Sequence, residues 1–301
     1  MTQQTVASAA DLSALRLRQR SWWQESDLVR RLRRRPGAIL GLTILTLLVL
    51  SAMFAPMLTP YQPLEPDPFA AFQEPSAAHW FGTDQLGRDI FTRVLYGGRV
   101  SLQVGLISVG IAASIGIVAG MLAGFYEGRL DTGIMRIIDV MLAFPNLLLA
   151  LVIVATLGTG IFKVMIAVGI AAIPTYTRLV RASVLSTKQQ AYIEAARTVG
   201  AFDLRIMARH ILPNIFAPVL VLSTLGVATA ILAGASLSFL GLGAQPPAAE
   251  WGLMLSQGRD YLRFAWWLTT FPGLAIMLAV LAINLVGDGL RDALDPRLRT
   301  L

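Results

Sequence analysis

One polar segment between two apolar stretches organises the sequence: residues 177–219 read TRLVRASVLSTKQQAYIEAARTVGAFDLRIMARHILPNIFAPV. Four apolar residues within it recur at i, i+3, i+4 and i+7, which predicts one face of a short helix: Tyr192, Ala195, Ala196 and Val199. Gly200 follows at the position where such a helix ends. Asp203 is placed to cap a second short helix that ends before Pro213.

The predicted face of this short helix is made mainly of alanine. Small side chains allow close docking into a groove of another protein. A helix that lies on lipid usually presents larger apolar residues, such as Trp, Phe or Leu. The composition of the face therefore favours a protein partner over a membrane surface.

The composition of the whole chain indicates a membrane protein. It has 301 residues, of which 55% are hydrophobic and 14% are charged, with a mean hydropathy of +0.63. Soluble domains carry about 25% charged residues. The absence of cysteine excludes disulfides, thiolate zinc sites and cysteine nucleophiles, and two histidines, His79 and His210, are too few for a His-rich metal site. We expect neither a bound metal nor a cofactor in this chain.

Six apolar windows are long enough to cross a bilayer as helices, at 38–58, 101–125, 134–157, 161–176, 215–240 and 266–286. The fourth window is short because Pro174 interrupts its end. The predicted organisation is a basic N-terminal segment at 1–37, a first span at 38–58, an outer loop at 59–98, a five-helix domain at 99–288 and a tail at 289–301. Within that domain the polar loop covers about 179–213.

The positions of Arg and Lys predict the topology. With the N-terminus in the cytoplasm, roughly 19 of the 25 basic residues fall in inner segments and roughly 6 in outer ones, as the positive-inside rule requires. We therefore expect both termini in the cytoplasm and the chain in a bacterial inner membrane. This distribution also explains the net charge of +7 through contact with membrane lipid and without nucleic acid.

Polar residues inside spans are functional candidates. Asp139 lies in the third window, and Arg136 precedes it by one helical turn. A local ion pair between them is one interpretation, and a role for Asp139 in gating or in the translocation path is the other. Pro145 can kink this span, and Asn146 is a candidate to face the path.

The outer loop carries a compact charged cluster formed by Asp84, Arg88, Asp89 and Arg93. Salt bridges that close the outer mouth of the protein are the favoured interpretation. Direct recognition of a peptide is the alternative.

Residues in the polar segment also resemble a family motif. Glu194-Ala195-Ala196, then Gly200, then Ile211-Leu212-Pro213 resemble the EAA motif of ABC-importer permeases, with His210 as the one departure. Residues 81–102 and 241–255 and the sequence FPGLAIMLAVLAINLVGDGLRDALDPRLR at 271–299 are similar to the C-type permeases of peptide importers, the dipeptide subgroup above all.

The resemblance implies an all-α, six-span type I importer permease that moves dipeptides or short peptides by alternating access. It implies a coupling helix seated on an ATP-binding subunit, with the coupling residues Tyr192, Glu194, Ala195, Ala196, Val199 and Gly200. It also implies the partners: a second homologous permease, two ATP-binding subunits that bind ATP and Mg, and a periplasmic or lipid-anchored binding protein. The chain itself is then not an enzyme.

Several alternatives remain beside this interpretation. Related permeases handle glutathione, nickel complexes or haem. The only lysines, Lys163 and Lys188, follow Phe162 and Thr187, so the phosphate-binding G-x-x-x-x-G-K-[ST] sequence of an ATPase is absent. The energy for transport must therefore come from another chain or from an ion gradient. An ion-coupled transporter would show repeats and several buried ionisable residues. A membrane aspartyl protease using Asp139 and Asp288 would show Gly-x-Gly-Asp, whereas residues 285–288 read Leu-Val-Gly-Asp.

Overall fold

The computed structural model describes residues 35–294. The regular secondary structure of these residues is helical, apart from one isolated bridge between Thr83 and Asp89. The helices of eight or more residues are α1 Pro36–Met53, α2 Ile90–Tyr126, α3 Gly128–Leu142, α4 Asn146–Leu157, α5 Ile161–Lys188, α6 Ala191–Thr198, α7 Leu212–Phe239, α8 Trp251–Gly258 and α9 Trp267–Leu294. A short helix, Asp203–Ile206, continues through the π-helical turn Met207–Ile211 into α7. The predicted basic segment, except its last three residues, lies outside the described residues, as does the tail after Leu294.

Five helical segments are long and apolar enough to cross a membrane: Pro36–Met53, Ile90–Tyr126, Ile161–Lys188, Asp203–Phe239 and Trp267–Leu294. The α3–α4 pair makes a sixth if it counts as one broken span. The predicted all-α, multi-span fold is therefore confirmed, with an important change in its third span.

The predicted third span at 134–157 is broken into two helices at Pro145, the residue that was expected to kink it. The chain bends by 92° between α3 and α4. Pro145 stands at the start of α4, and a proline lacks the N–H donor and disfavours helical geometry in the residue before it, here Phe144. With 12 residues, α4 is only about 18 Å long and cannot cross a hydrocarbon core of about 30 Å alone.

The predicted fourth span at 161–176 ends too early, because α5 continues through Pro174 to Lys188. Packing against α2 explains the difference. A Cβ atom added to Gly120 would lie 2.6 Å from the carbonyl oxygen of Thr177, and one added to Gly124 would lie 2.9 Å from that of Arg181. Such close backbone contact along both helices outweighs the one helical hydrogen bond that a proline removes.

The polar segment is more ordered than predicted. Its first part belongs to α5, and only residues 189–190 and 199–202 connect α6 to its helical neighbours. Phe202 occupies the N-cap position that was predicted for Asp203, which is instead the first helical residue and makes no capping hydrogen bond. The second short helix does not end before Pro213, because the chain passes through the π-helical turn into α7. The α6 segment is thus held on both sides by long helices.

Candidate functional site

The short helix α6 presents two different faces. Ile193 is fully buried and Ala196 is 9% exposed, and both pack into the main hydrophobic core. Tyr192 is 45% exposed and Val199 is 85% exposed, and Ala195 lies on the exposed side with them. The prediction that Ala196 shares the outer face is therefore wrong. Ile193, three residues earlier, provides the large apolar side chain that turns this side of the helix inward.

Gly200 ends α6 in a Schellman motif. Its N–H donates to the carbonyl of Arg197 at 2.9 Å, and the N–H of Ala201 donates to the carbonyl of Ala196 at 3.0 Å. Gly200 has φ +79 and no neighbouring atom within 4 Å of an added Cβ. A glycine is required at this position by the backbone conformation alone. The space around it is open, so the neighbouring surface stays accessible.

Two exposed apolar residues that the sequence reasoning missed extend this surface. Phe202 and Leu204 are both exposed immediately after the Gly200 turn. The only signal for them in the sequence is their position beside that turn. Together with Tyr192, Ala195 and Val199 they form what we call the coupling face.

Below the coupling face, α6 is anchored to α2 and α5 through one aromatic ring. The guanidinium of Arg197 lies 5.4 Å from the centroid of the Phe125 ring, and the Lys188 ammonium lies 5.6 Å from it. Contacts of cations with an aromatic ring stabilise such junctions modestly. The anchor joins α6 to the ends of the two helices that pack most closely in the fold.

Three ion pairs connect α3 and its preceding residue to α5. Glu127 contacts Lys188 at 2.7 Å, Asp131 accepts two bonds of 2.6 Å from Arg181, and Asp139 accepts one of 2.7 Å from Arg178. The local pair of Asp139 with Arg136 was therefore a wrong interpretation, since the carboxylate bonds across to α5. Asp139 and Arg178 are each about half exposed.

Asn146 lies elsewhere, at a cavity of about 290 Å³ bounded by α2, α4, α5 and α7. The polar side chains around it are all neutral: Ser108, Asn146, Thr175, Tyr176 and Thr229. Asp139 is not part of its lining. The structure thus separates the two residues that were predicted to share a path.

The predicted charged cluster lies at the start of α2, at the end of the fold opposite α6, and it is enclosed by the chain. Asp84, Arg88, Asp89 and Arg93 are all buried. Asp84 contacts Arg88 at 2.7 Å, while Asp89 caps α2 through the backbone N–H of Thr92 at 2.7 Å and contacts His79 at 3.0 Å. These charges pair within the chain and are not displayed to a ligand, although Nη2 of Arg88 has no hydrogen-bond partner.

Arg93 ties the cluster to a distant loop. It is 1% exposed and donates to the carbonyls of Pro63 at 2.9 Å and Ala248 at 3.1 Å. Its Nε also lies 3.7 Å from Asp84. One buried guanidinium thereby joins the segment before α2 to the segment before α8.

Glu250 is a second buried charged group at this end, and sequence reasoning did not identify it. Its carboxylate accepts the backbone N–H groups of Gly252 at 2.9 Å and Leu253 at 2.8 Å, and the Ser101 hydroxyl at 3.3 Å. Burial raises the pKa of the Glu250 carboxyl, and these hydrogen bonds oppose the rise only in part. Its place as the N-cap of α8 was the available sequence signal.

Comparison with known proteins decides the family. The family described as "Binding-protein-dependent transport system inner membrane component" matches residues 116–300, and the N-terminal transmembrane domain of oligopeptide transport permease C matches residues 21–75. The chain belongs to this permease family.

Curated relatives match nearly end to end. The dipeptide transport permease DppC of Alkalihalophilus pseudofirmus is 49% identical over 92% of this chain and 91% of that protein. The di/tripeptide permease DppC of Pseudomonas aeruginosa is 49% identical over 87% of this chain and 89% of that protein. The glutathione permease GsiD of Escherichia coli is 50% identical over 93% and 92%.

A solved structure supports the fold of this inner-membrane permease. An inward-facing MetNI methionine ABC transporter matches with a TM-score of 0.55 and 20% identity, over 67% of this chain and 97% of that chain. The match places this permease in the same fold. At that identity it carries no further statement about substrate or mechanism.

Proposed function

We propose that this permease is the membrane subunit of an ABC importer that carries dipeptides or short peptides into the cell. The single observation that carries the proposal is the coupling face, an exposed apolar surface on a helix anchored in the permease core, in a chain that belongs to the importer family. Exposed apolar side chains of this size beside charged residues are typical of protein docking sites.

The α6 helix is built to transmit force. Ile193 anchors it in the core, α5 leads into it, and the helical segment Asp203–Phe239 leads away. ATP-binding subunits, carrying ATP and Mg, would seat on the coupling face. Movement of that partner then displaces α6 as a rigid body and shifts α5 against α7, two of the four helices that border the cavity.

The cavity beside Asn146 is the proposed part of the translocation path within this subunit, completed by a second, homologous permease. A lining of neutral hydroxyl and amide groups can hydrogen-bond a peptide backbone without selecting the charge of its side chains. Asp139 is assigned to holding α3 against α5 through Arg178 and not to contacting substrate.

The enclosed cluster around Asp84 and Arg93 is assigned a structural role at the outer end, where a binding protein delivers substrate. Both termini lie in the cytoplasm in this arrangement, as the distribution of basic residues requires. The coupling face then lies on the same side as the ATP-binding subunits.

A glutathione substrate is the second candidate, because the glutathione permease is as similar to this chain as the dipeptide permeases are. Both substrates are short peptides with two charged ends. Uptake of labelled dipeptide, tripeptide and glutathione, measured in cells that lack this gene and other peptide importers, separates them. We expect wild type to restore dipeptide uptake; restoration of glutathione uptake alone would overturn the dipeptide assignment.

The same cells test the coupling face through a matched pair of variants. Ala195→Trp places a bulky side chain on the exposed face and should abolish uptake, whereas Ala195→Ser should retain it. Ala196 is unsuitable for this test because a Trp there would disrupt the core. Full uptake by the Ala195→Trp variant, at normal membrane levels, would contradict the coupling assignment.

A further inference from the structure

A second, larger cavity lies on the other side of α7. This cleft has a volume of about 680 Å³ and is bounded by α1, α2, α7 and α9, with Leu45, Leu106, Val227 and Ile283 representing the four helices. Its lining is almost entirely apolar, and all four helices are long and apolar enough to span the membrane. A cleft with this lining, between helices of spanning length, suits hydrocarbon better than water.

The side chain of Arg99 places a positive charge at one end of the cleft. Arg99 of α2 lines it and lies 4.9 Å from the centroid of the Tyr96 ring. Its Nε donates to the carbonyl of Ala52 at 2.6 Å, and its Nη2 donates to that of Met53 at 3.0 Å. In the part of the chain that the structure describes, no carboxylate lies within 4.0 Å of this guanidinium.

This arrangement leaves Arg99 incompletely satisfied. A guanidinium has five N–H donors in a planar fork, and two of them serve the carbonyls at the end of α1. A positive charge among apolar helices is costly unless it is compensated. Because α1 ends at this level, beside the polar segment that precedes α2, the charge lies at the depth of lipid headgroups.

We infer that the cleft binds a phospholipid from the membrane leaflet at which α1 ends, with one acyl chain between the four helices and the phosphate on Arg99. The apolar cleft matches the acyl chain of that ligand, and Arg99 matches its phosphate. An arginine fork pairs well with phosphate, and an acyl chain fills a narrow apolar space without bringing polar backbone into it.

A partner helix is a poorer occupant of the cleft. A helix would bring no negative charge to Arg99 unless it carried an acidic residue at this depth.

Native mass spectrometry of the transporter, purified and stripped of loosely bound lipid, tests the inference. We expect one phospholipid to remain per copy of this chain. Arg99→Gln should reduce its occupancy about tenfold, since the charge-assisted phosphate contact is lost. The matched control Arg263→Gln changes an exposed arginine outside the cleft and should retain the lipid.

A second variant fills the cleft without touching the charge. Leu106→Trp should displace the lipid, whereas Leu281→Trp, an exposed apolar position on α9 outside the lining, should not. Absence of phospholipid from the wild type, or occupancy as high as wild type in both Arg99→Gln and Leu106→Trp, would overturn the proposal.

The chain contains no cysteine, so Leu106→Cys can carry a single photoreactive benzophenone. Cross-linking to phospholipid supports the assignment. Cross-linking to another protein subunit in place of lipid would overturn it and assign the cleft to a subunit interface.

Discussion

The two ends of this permease treat charge in opposite ways. At the end before α2, Asp84 and Arg93 are buried and bonded within the chain. At the end that carries α6, Asp139 and Arg178 pair while each stays about half exposed, and Val199 of α6 is exposed. The first end is complete in itself, whereas the second leaves surface for another protein.

The difference teaches where rigidity and movement reside. Breaking a buried ion network is costly, so the end before α2 acts as a fixed frame. Pairs in solvent contribute little and can be exchanged. The proposed transmission of movement from α6 to the spanning helices would use both properties, at opposite ends.

The largest expected effect on stability comes from a substitution in the buried charged cluster at the start of α2. Arg93→Ala leaves the buried carbonyls of Pro63 and Ala248 without their donor and removes one of the two guanidinium groups beside Asp84, which keeps Arg88. It should lower the free energy of unfolding by about 3–5 kcal/mol. Arg178→Ala removes a half-exposed pair at the other end and should cost less than about 1 kcal/mol. Thermal unfolding of the purified permease measures both; equal losses would remove the contrast between the two ends.

A smaller effect is expected at the end of α6. Gly200→Ala forces a Cβ into the left-handed region at φ +79 and should destabilise the local turn by roughly 1–2 kcal/mol. Gly133→Ala is the matched control, because Gly133 lies inside α3 and an added Cβ there meets nothing within 4 Å. Hydrogen exchange of the α6 amides reports the difference, and unchanged protection in Gly200→Ala would contradict the role of the Schellman motif.

The smallest effect concerns the part of the pH dependence of folding stability that comes from Glu250. Its pKa is raised in the folded protein, so the folded state holds the proton more tightly than the unfolded state. The contribution of this group to stability is therefore largest below its unfolded pKa and falls as pH rises towards the raised value. Thermal unfolding across pH 4 to 8 should show this decline in wild type and lose that component in Glu250→Gln; identical profiles would contradict it.

Much of the fold follows from the sequence because hydrophobic length reports spanning helices directly. The two prolines show the limit of that reasoning. Pro145 coincides with a 92° bend, whereas Pro174 lies inside a continuous helix. The outcome depends on contacts distant in sequence: the α3 carboxylates bond to α5, and the glycines of α2 hold α5 straight.

The site shows the same limit. Periodicity located the short helix and its glycine but placed Ala196 on the wrong face, because Ile193 decides which side is buried. The charged cluster was recognisable as a group, but its enclosure depends on carbonyls of Pro63 and Ala248 that no local pattern identifies. Arg178 was likewise invisible as the partner of Asp139, since 39 residues separate them.

The most direct test of the coupling assignment uses the absence of cysteine. Val199→Cys on the coupling face and Phe69→Cys, at a 99% exposed position on the opposite end, each introduce a unique thiol. Maleimide labelling is measured for the permease alone and for the transporter assembled with its ATP-binding subunits. We expect Val199→Cys to become at least about tenfold slower to label on assembly, as buried interface positions do, while Phe69→Cys stays unchanged. Equal labelling of Val199→Cys in both states would contradict the account.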